Sequence, residues 1–309
     1  MRILFMGTPE FAMRSLKAIY ESGEEIVGVV TAPDKPKGRG MVLTPSDVKK
    51  YAMEQNLSVY QPLTLKDGAF QSVLDELAPE LIVVVAYGRI LPKYVLDYPK
   101  YACINSHASI LPKYRGAAPI QRAIIDGEEE TGVSVMKMDV GLDTGDVILT
   151  EKITIEENDN FEAVHDKLVE ASCVGLLKAI EQFKNGSVEF TPQGEEFTYA
   201  EKITKADCLI DFTQSVQDVH NRIRGLSPIP LAYTKTPDGK ILKVTSAHIS
   251  KLCSTDECGT VIDLGNSICV KCNDGVIALD EIIPEGKSRM SAAAYINGRK
   301  IDVGDRLGE

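Results

Sequence analysis

The chain has 309 residues, which is enough for two domains or one large one. With 44% hydrophobic and 26% charged residues it has the composition of an ordinary globular protein, and no apolar run approaches the roughly 20 residues of a membrane-spanning helix. The net charge of −11 disfavours nucleic-acid binding by the surface as a whole. The acidic excess is concentrated in the first 200 residues, however, because 201–309 carries 14 basic and 15 acidic residues.

Strand and helix patterns alternate over the first 150 residues. We predict a helix over 9–23 and strands at 2–7, 25–32, 81–88, 102–108 and 131–139. The apolar run "LIVVVAYG" at 81–88 is typical of a strand buried on both faces. This rhythm predicts an α/β fold, a Rossmann-like doubly wound and mostly parallel sheet. The Pro/Gly-rich segment 33–45 is predicted to be a basic loop, and a Ser/Asp cap begins a helix at 46.

The pattern changes after a helix predicted around 160–184. We assign 1–186 to a catalytic domain, 187–206 to a linker and 207–309 to a second domain. The second domain combines one short helix at 214–224 with short strands, and Asp-Gly pairs at 238–239 and 274–275 are hairpin signals. These features predict a small antiparallel β-barrel.

The seven cysteines are scattered and odd in number, which predicts free thiols in a reducing compartment. The N-terminal "MRILFMGTPEF" is typical of a first strand and not of a signal peptide, so we expect a cytoplasmic protein. "CVKC" at 269–272 has the spacing of a zinc motif, but residues three apart on a strand face opposite sides. We therefore expect no metal.

Polar clusters follow the predicted strands, and ligands of such sheets bind beyond the carboxyl ends of the strands. The clusters are Gly7–Thr8, Tyr87–Gly88, Asn105–His107 and Asp139–Asp146. We expect them to meet in one cleft.

The residue types in this cleft suit acyl transfer. Asn105 and His107 are two apart in extended backbone and point to the same side. An amide can donate to an oxyanion, an imidazole can take a proton from an amine, and a carboxylate of the 139–146 loop can orient the imidazole. No nucleophilic residue is evident, which favours direct transfer to an amine. The alternatives are a structural histidine at a strand end and a solvated acidic turn.

The chain resembles the folate-dependent formyltransferases, and most closely those that act on charged tRNA. The resemblance covers nearly the whole chain, and the segments that carry it are "MGTPEFA" (6–12), "APDKPKGRG" (32–40), "VVVAYGRILP" (83–92), "INSHASILPKYRGAAPIQRA" (104–123), "TGVSVMKMDVGLDTGD" (131–146), "TYAEKITKAD" (198–207), "HNRIRGLSPIP" (220–230) and "PEGKSRMSAAAYINGR" (284–299).

The resemblance implies a catalytic set of Asn105, His107 and Asp143. It also implies 10-formyltetrahydrofolate as formyl donor, and the α-amino group of methionine on initiator tRNA as acceptor. The residues that it implies for the folate site are Tyr87, Gly88, Ile90, Leu91, Ser109, Ile110, Leu111, Pro112, Asp139 and Gly141.

The resemblance further implies an OB-like C-terminal domain that binds tRNA. The implied tRNA contacts are Lys35, Lys37 and Arg39 in the basic loop and Arg222 and Arg224 in the second domain, with Lys240, Lys243, Arg289 and Arg299 as further candidates. Met41-Val42 departs from the Lys-Lys that follows "GRG" in many members, so a smaller phosphate contribution is expected from this loop. A monomer is expected.

Three alternatives stay open at this point. A formyltransferase for a small amine would use the same three residues but would not account for the added C-terminal domain. A hydrolase that releases formate from the folate is not excluded by the three residues. An RNA-binding protein with an inactive catalytic domain is disfavoured, since all three residues are present.

Overall fold

The structure is a computed structural model that describes residues 1–37 and 40–308. The chain forms two compact units. The first unit comprises Met1–Gly116, Thr131–Ile153 and Lys167–Tyr199. The second comprises Ala117–Glu130, Thr154–Asp166 and the chain from Ala200 onward. The division predicted from the sequence, into a catalytic domain at 1–186, a linker at 187–206 and a second domain at 207–309, remains a prediction.

The elements up to the end of the predicted linker are β1 (Arg2–Gly7), α1 (Glu10–Glu21), β2 (Glu25–Val30), β3 (Lys35–Lys37), β4 (Val42–Thr44), α2 (Asp47–Glu54), β5 (Val59–Tyr60), α3 (Gln71–Leu77), β6 (Leu81–Val85), α4 (Lys93–Leu96), β7 (Ala102–His107), β8 (Arg115–Gly116), α5 (Pro119–Ile125), β9 (Glu130–Lys137), β10 (Val147–Thr154), α6 (Phe161–Asn185) and β11 (Tyr199–Ala200). The predicted helices at 9–23, from 46 and around 160–184 correspond to α1, α2 and α6. The segment 33–45 was predicted to be a loop, but β3 and β4 pair within it as an antiparallel hairpin.

A seven-stranded sheet in the order β10-β9-β7-β6-β1-β2-β5 forms the frame of the first unit. The pairs from β5 through β2, β1 and β6 to β7 are all parallel, which confirms the predicted Rossmann-like architecture. Strand β1 is fully buried from Ile3 to Met6 because helices cover both faces of a parallel sheet. Gly7 ends β1 where a Cβ would lie 2.6 Å from that of Ala12, so only glycine lets α1 pack so close to the strand end.

Strand β9 departs from the expected direction. It runs antiparallel to β7, with Lys137 opposite Ile104 and Ser134 opposite His107. The end of β9 therefore lies beside the first half of β7, and not at the edge where β7 ends. The loop after β9 therefore does not reach His107 by following a parallel strand, because periodicity predicts a strand but not its direction.

The elements of the remaining chain are α7 (Val216–Gly225), β12 (Ala232–Lys235), β13 (Ile241–Ser250), β14 (Val261–Leu264), β15 (Ile268–Lys271), β16 (Val276–Pro284), β17 (Met290–Ser291) and α8 (Ala292–Asn297). The six strands form one sheet in the order β12-β13-β16-β15-β14, with β17 beside β16. Every pair whose register is known is antiparallel, as predicted. The predicted Asp-Gly turns connect β12 to β13 and β15 to β16.

The cysteines are free, as predicted, and four of the seven are buried. Burial raises the pKa of the Cys103 thiol well above its ordinary value and raises that of Cys272 to about 12. Over residues 1–37 and 40–308 no three His, Cys, Asp or Glu side chains are grouped so that they could hold a metal ion. None of the helices described is long and apolar enough to cross a membrane.

Candidate active site

The carboxyl ends of β1, β6 and β7 lie side by side at one edge of the sheet. Gly7 is opposite Val85, and Val84 is opposite Asn105. The residues that follow, Thr8 and Tyr87, therefore lie beside the end of β7, and the Thr8 hydroxyl is 3.5 Å from the Tyr87 carbonyl oxygen. Three of the four polar clusters predicted to share a cleft are thus brought together by strand register.

Asn105 and His107 occupy the last half of β7 and share one face of the strand. Asn105 is partly exposed, and no group in the described part of the chain hydrogen-bonds its carboxamide, so the amide is available to a ligand. His107 is buried, and its Nε2 lies 2.9 Å from the carbonyl oxygen of Tyr114. A carbonyl oxygen can only accept, so Nε2 carries the hydrogen in this arrangement.

Asp143 lies against the other side of the imidazole. Its Oδ2 is 3.6 Å from His107 Nδ1, which is too long for a hydrogen bond but close enough for an ion pair with a protonated ring. The same oxygen accepts from the Gly116 N–H at 2.9 Å. The Asp143 backbone has φ of 53°, a left-handed conformation that Asp adopts more readily than most residues.

Two glycines let the loop after β9 reach His107 despite the antiparallel direction of that strand. A Cβ on Gly145 would lie 1.7 Å from the Lys137 carbonyl oxygen, and one on Gly141 would lie 2.0 Å from the Thr144 hydroxyl. The loop closes on itself at these points, with Thr144 donating to Asp139 at 2.6 Å. The sequence "DVGLDTGD" is therefore a tight turn that presents Asp143, and not merely a solvated acidic loop.

Each of the three side chains can perform a different role in acyl transfer. Nε2 of His107 is held by a carbonyl, so Nδ1 is the nitrogen that can gain and lose a proton. The Asp143 carboxylate faces Nδ1 and stabilises the cation that forms there. The Asn105 amide, on the same face of β7, can donate to an oxygen on which negative charge develops.

The residues predicted for the folate site differ in their burial. Tyr87, Leu91, Ser109 and Leu111 are buried, whereas Ile90 is exposed. The remaining members, Gly88, Ile110, Pro112, Asp139 and Gly141, are exposed or partly exposed. Polar bonds fix the 109–113 turn, since Ser109 donates to the Lys113 carbonyl at 2.7 Å and accepts at its own carbonyl from Ser134 at 2.8 Å.

The Tyr87 hydroxyl is a buried polar group with no protein partner in the described part of the chain. Burial raises the pKa of Tyr87, and the nearby Arg89 guanidinium opposes this shift. A buried hydroxyl without a partner costs free energy. It is therefore available to hydrogen-bond a polar heterocycle bound at this edge, which fits the predicted pterin.

The predicted tRNA contacts differ in how available they are. Lys35 is exposed, the side chain of Lys37 is not described, and Arg39 lies outside the described residues. Arg222 donates to the Asp207 carbonyl at 2.7 Å. Arg224 is only 8% exposed and donates to Asn221 Oδ1, to the Asp159 carbonyl and to the Glu156 carbonyl. A guanidinium committed in this way does not fit the phosphate contact predicted for Arg224, because its donors are used inside the second unit.

Sequence analysis missed Arg115 and Gln193 as site residues. The two side chains bond to each other, and Gln193 also bonds to the backbone of Asp143, although Gln193 falls in the segment predicted to be a linker. The polar, Pro- and Gly-containing composition of 187–206 is typical of linkers and carries no signal of tertiary hydrogen bonds. Arg115 is buried, but its sequence context "YRGAAP" gives no clear signal of burial for an arginine.

Family models cover most of the chain. Residues 1–180 match "Formyl transferase" and residues 202–300 match "Formyl transferase, C-terminal domain". The chain is therefore a formyltransferase-type enzyme.

Relatives of similar length narrow the assignment. The methionyl-tRNA formyltransferase of Clostridium novyi (strain NT) is 45% identical over 306 residues, which cover 98% of each chain. The methionyl-tRNA formyltransferase of Clostridioides difficile (strain 630) is 45% identical over 310 residues, which cover 100% of each chain. The chain belongs to the methionyl-tRNA formyltransferase family, as its resemblance predicted.

Solved structures with lower identity share the fold. An N-formyltransferase from Helicobacter canadensis, in complex with folinic acid and dTDP-3-aminofucose, matches with a TM-score of 0.67 at 19% identity over 90% of this chain and 98% of that one. HypX from Aquifex aeolicus in complex with tetrahydrofolic acid matches with a TM-score of 0.63 at 18% identity. This chain covers 50% of that HypX chain and 99% of its own length.

Proposed function

We propose that this protein transfers the formyl group of 10-formyltetrahydrofolate to the α-amino group of methionine carried by initiator tRNA. The observation that carries the proposal is the arrangement at the end of β7, where an unpartnered Asn105 amide adjoins a histidine held between Tyr114 and Asp143. Membership of the family supports the choice of acceptor.

The folate supplies an activated formyl carbon. Asn105 donates from its amide to the formyl oxygen and stabilises the negative charge that develops as the amine adds to the carbon. His107 accepts the proton of the attacking amine at Nδ1, and Asp143 stabilises the imidazolium. The bond from the formyl carbon to the folate nitrogen breaks, that nitrogen receives the proton, and the new amide bond remains on methionine.

The acceptor amine requires only modest help from the base. A free α-amino group has a reference pKa near about 8, and esterification of the carboxyl group to tRNA lowers it, so much of the amine is already neutral at the pH of a cell. We therefore assign His107 the removal of the proton during addition and the delivery of that proton to the leaving nitrogen.

Recognition of tRNA is the second part of the proposal. The hairpin β3–β4 contains Lys35 and Lys37, and it follows a strand that ends at the same edge of the sheet as Asn105 and His107. Arg39 comes two residues after Lys37 in the sequence. The second domain, with little net charge in 201–309, is the other candidate surface. Of its predicted contacts we retain Arg222, Lys240, Lys243, Arg289 and Arg299. Binding through such cations weakens steeply with salt.

A formyl-transfer assay with three acceptors tests the proposal. Purified protein and 10-formyltetrahydrofolate are incubated with methionine charged on initiator tRNA, with methionine charged on elongator tRNA, or with a small free amine. We expect formylation of the initiator species alone. Formate release without an acceptor, or formylation of the small amine, would overturn the acceptor and leave the chemistry of the site in place. A cytoplasmic location and a monomeric state remain predictions, which fractionation and analytical ultracentrifugation test.

A further inference from the structure

The segment 191–198 lies in the predicted linker, yet it hydrogen-bonds near Asp143 at one end and to the turn of Tyr114 at the other. Thr191 exchanges two backbone hydrogen bonds of 2.9 Å with Val147, just after the Asp143 turn. At its other end, Thr198 accepts from the Tyr114 N–H at 2.8 Å and from the Arg115 N–H at 2.9 Å. One segment therefore contacts the turn that presents Asp143 and the turn that supplies the carbonyl facing His107.

Gln193 is the centre of this segment, and its amide is bonded on both sides. Its Oε1 accepts from Arg115 Nε at 3.0 Å and from Nη2 at 2.7 Å. Its Nε2 donates to the carbonyl oxygens of Asp143 at 2.9 Å and of Gly145 at 2.7 Å. The Gln193 side chain thus connects the buried Arg115 guanidinium to the backbone of Asp143 and Gly145.

Arg115 adds rigidity to the same arrangement. It is 6% exposed, and its guanidinium stacks on the Phe197 ring with 4.6 Å from Cζ to the centroid. No carboxylate in the described ranges forms an ion pair with it, so the amide of Gln193 is its principal side-chain acceptor. A buried cation leaves such an acceptor only at a high cost in free energy, which holds Gln193 in place.

The two turns joined in this way are the ones that set the geometry of His107. The turn at 114–116 provides the Tyr114 carbonyl for Nε2 and the Gly116 N–H for Asp143 Oδ2. Tyr114 has φ of 60° and Asp143 has φ of 53°, both in the left-handed region. Non-glycine residues persist there when their surroundings enforce the conformation, and the bonds to Thr198 and Gln193 are such surroundings.

We infer that Gln193 is a positioning residue for the reaction, which couples Arg115 to the Asp143 turn and thereby fixes the carboxylate and the Tyr114 carbonyl about His107. The inference concerns the rate of the transfer and so rests on the proposed function, but its geometric content concerns only the imidazole. Neither Gln193 nor Arg115 touches the reacting atoms in this role.

The variant Gln193→Glu distinguishes two roles of the side chain: holding the Asp143 turn in position, and attaching the segment 191–198 to Arg115. A glutamate accepts from Arg115 at least as well as glutamine does, but as a carboxylate it cannot donate to the carbonyls of Asp143 and Gly145. We expect kcat to fall about tenfold to a hundredfold, as a misplacement of about 1 Å does, while KM for folate and tRNA stays within about twofold. Gln193→Leu, which removes both sets of bonds, is expected to lower kcat at least as much.

The matched control is Gln71→Glu on α3, where the side chain donates to Asp75 of the same helix. Wild-type kcat in the control and a reduced kcat in Gln193→Glu, with the circular dichroism spectrum unchanged, would support the inference. A kcat for Gln193→Glu within twofold of wild type would overturn it.

A spectroscopic measurement needs no turnover. The chain has four histidines, so ¹⁵N spectra of the imidazoles are simple, and a His107→Gln variant identifies the His107 signals. We expect a single tautomer with hydrogen on Nε2 in the wild type and a mixture of tautomers in Gln193→Glu. Identical His107 spectra in the two proteins would also overturn the inference. If the wild type shows no formyl transfer, the proposed function fails, and this measurement still decides whether Gln193 orients the ring.

Discussion

Asn105 and His107 on β7 form one cluster of an asparagine and a histidine, and Asn221 and His220 on α7 form another. The two clusters differ in whether an unpartnered polar group is accessible to a ligand. At the end of β7, Asn105 keeps its amide unpartnered and His107 has oxygens at both ring nitrogens. On α7, Asn221 is buried with its Oδ1 accepting from Gln217 and Arg224. His220 is buried with its Nδ1 unpartnered.

The difference lies in which polar atom is left over and where it faces. In the first cluster the unpartnered atom is an amide at a partly exposed strand end, where a ligand can bind. In the second it is the ring nitrogen of a side chain that is 4% exposed, where a ligand does not reach it. A motif rich in polar residues therefore indicates a catalytic site only when the fold leaves its donors accessible.

The largest expected effect separates the two histidines. His107→Gln should lower kcat by about 10²–10⁴-fold, the range that a general acid–base residue contributes, with folate affinity nearly unchanged. The same substitution at His220 should leave kcat within about threefold. Single-turnover formyl transfer with equilibrium folate binding provides the measurement, and equal losses in the two variants would remove the distinction between the clusters.

The two asparagines should differ in the same sense. Asn105→Ala removes the donor to the developing oxyanion and should cost about 10²–10³ in kcat. Asn221→Ala should spare kcat but lower the free energy of unfolding, because it leaves Arg224 Nε without its acceptor. Steady-state kinetics and urea denaturation of both variants make the comparison. Normal turnover by Asn105→Ala would exclude its assigned role.

Arg224 tests whether the α7 cluster is internal. Arg224→Leu leaves the carbonyls of Glu156 and Asp159 without donors and should lower the free energy of unfolding by about 1–3 kcal/mol. Because Arg224 is committed inside the second unit, Arg224→Leu should leave the slope of log K against log salt for tRNA binding unchanged. A slope smaller by about one would instead identify a phosphate contact.

The smallest effect is a pH dependence of stability that comes from His220. Burial, and then the neighbouring Arg224, lower the pKa of His220 below its ordinary value of 6.5, with His248 acting in the same direction. The Ala247 backbone and Glu157 oppose the shift. The folded protein thus takes up this proton at a lower pH than the unfolded chain, whose ring is protonated as the pH falls through 6.5.

His220 accordingly contributes full stability above pH 6.5 and loses it below that value, at up to about 1.4 kcal/mol per pH unit. Urea midpoints measured from pH 7.5 to 5 should show this loss in the wild type and a smaller one in His220→Gln. Parallel curves for the two proteins would mean that other groups cause the acid sensitivity.

Much of the architecture could be predicted because its cause is local. The apolar run of β6 and the spacing of Phe11, Leu16 and Ile19 on α1 report burial directly. The Asp-Gly turns of the second domain report hairpins. Asn105 and His107 could be placed on one face because the strand period is two.

The remainder depends on tertiary contacts that leave no trace in a local pattern. Strand β9 runs antiparallel to β7, and a strand pattern in the sequence is the same in either direction. The bonds of Gln193 join residues 50 apart in the chain, and those of Arg224 reach 65 residues back. Side chains of this kind appear as ordinary polar residues until the fold shows what they touch.

Cys103 lies two residues before Asn105 on β7, and its burial bears on whether a formyl group can be held covalently on the protein. It is 1% exposed and its thiol lies 3.7 Å from the sulfur of Met138. Because burial raises its pKa well above the ordinary value, the sulfur stays protonated and does not take up the formyl group as a thioester. The strand thus offers no place to store the group between two visits. We therefore expect donor and acceptor to occupy the protein together in a ternary complex, so that the kinetics are sequential and not ping-pong.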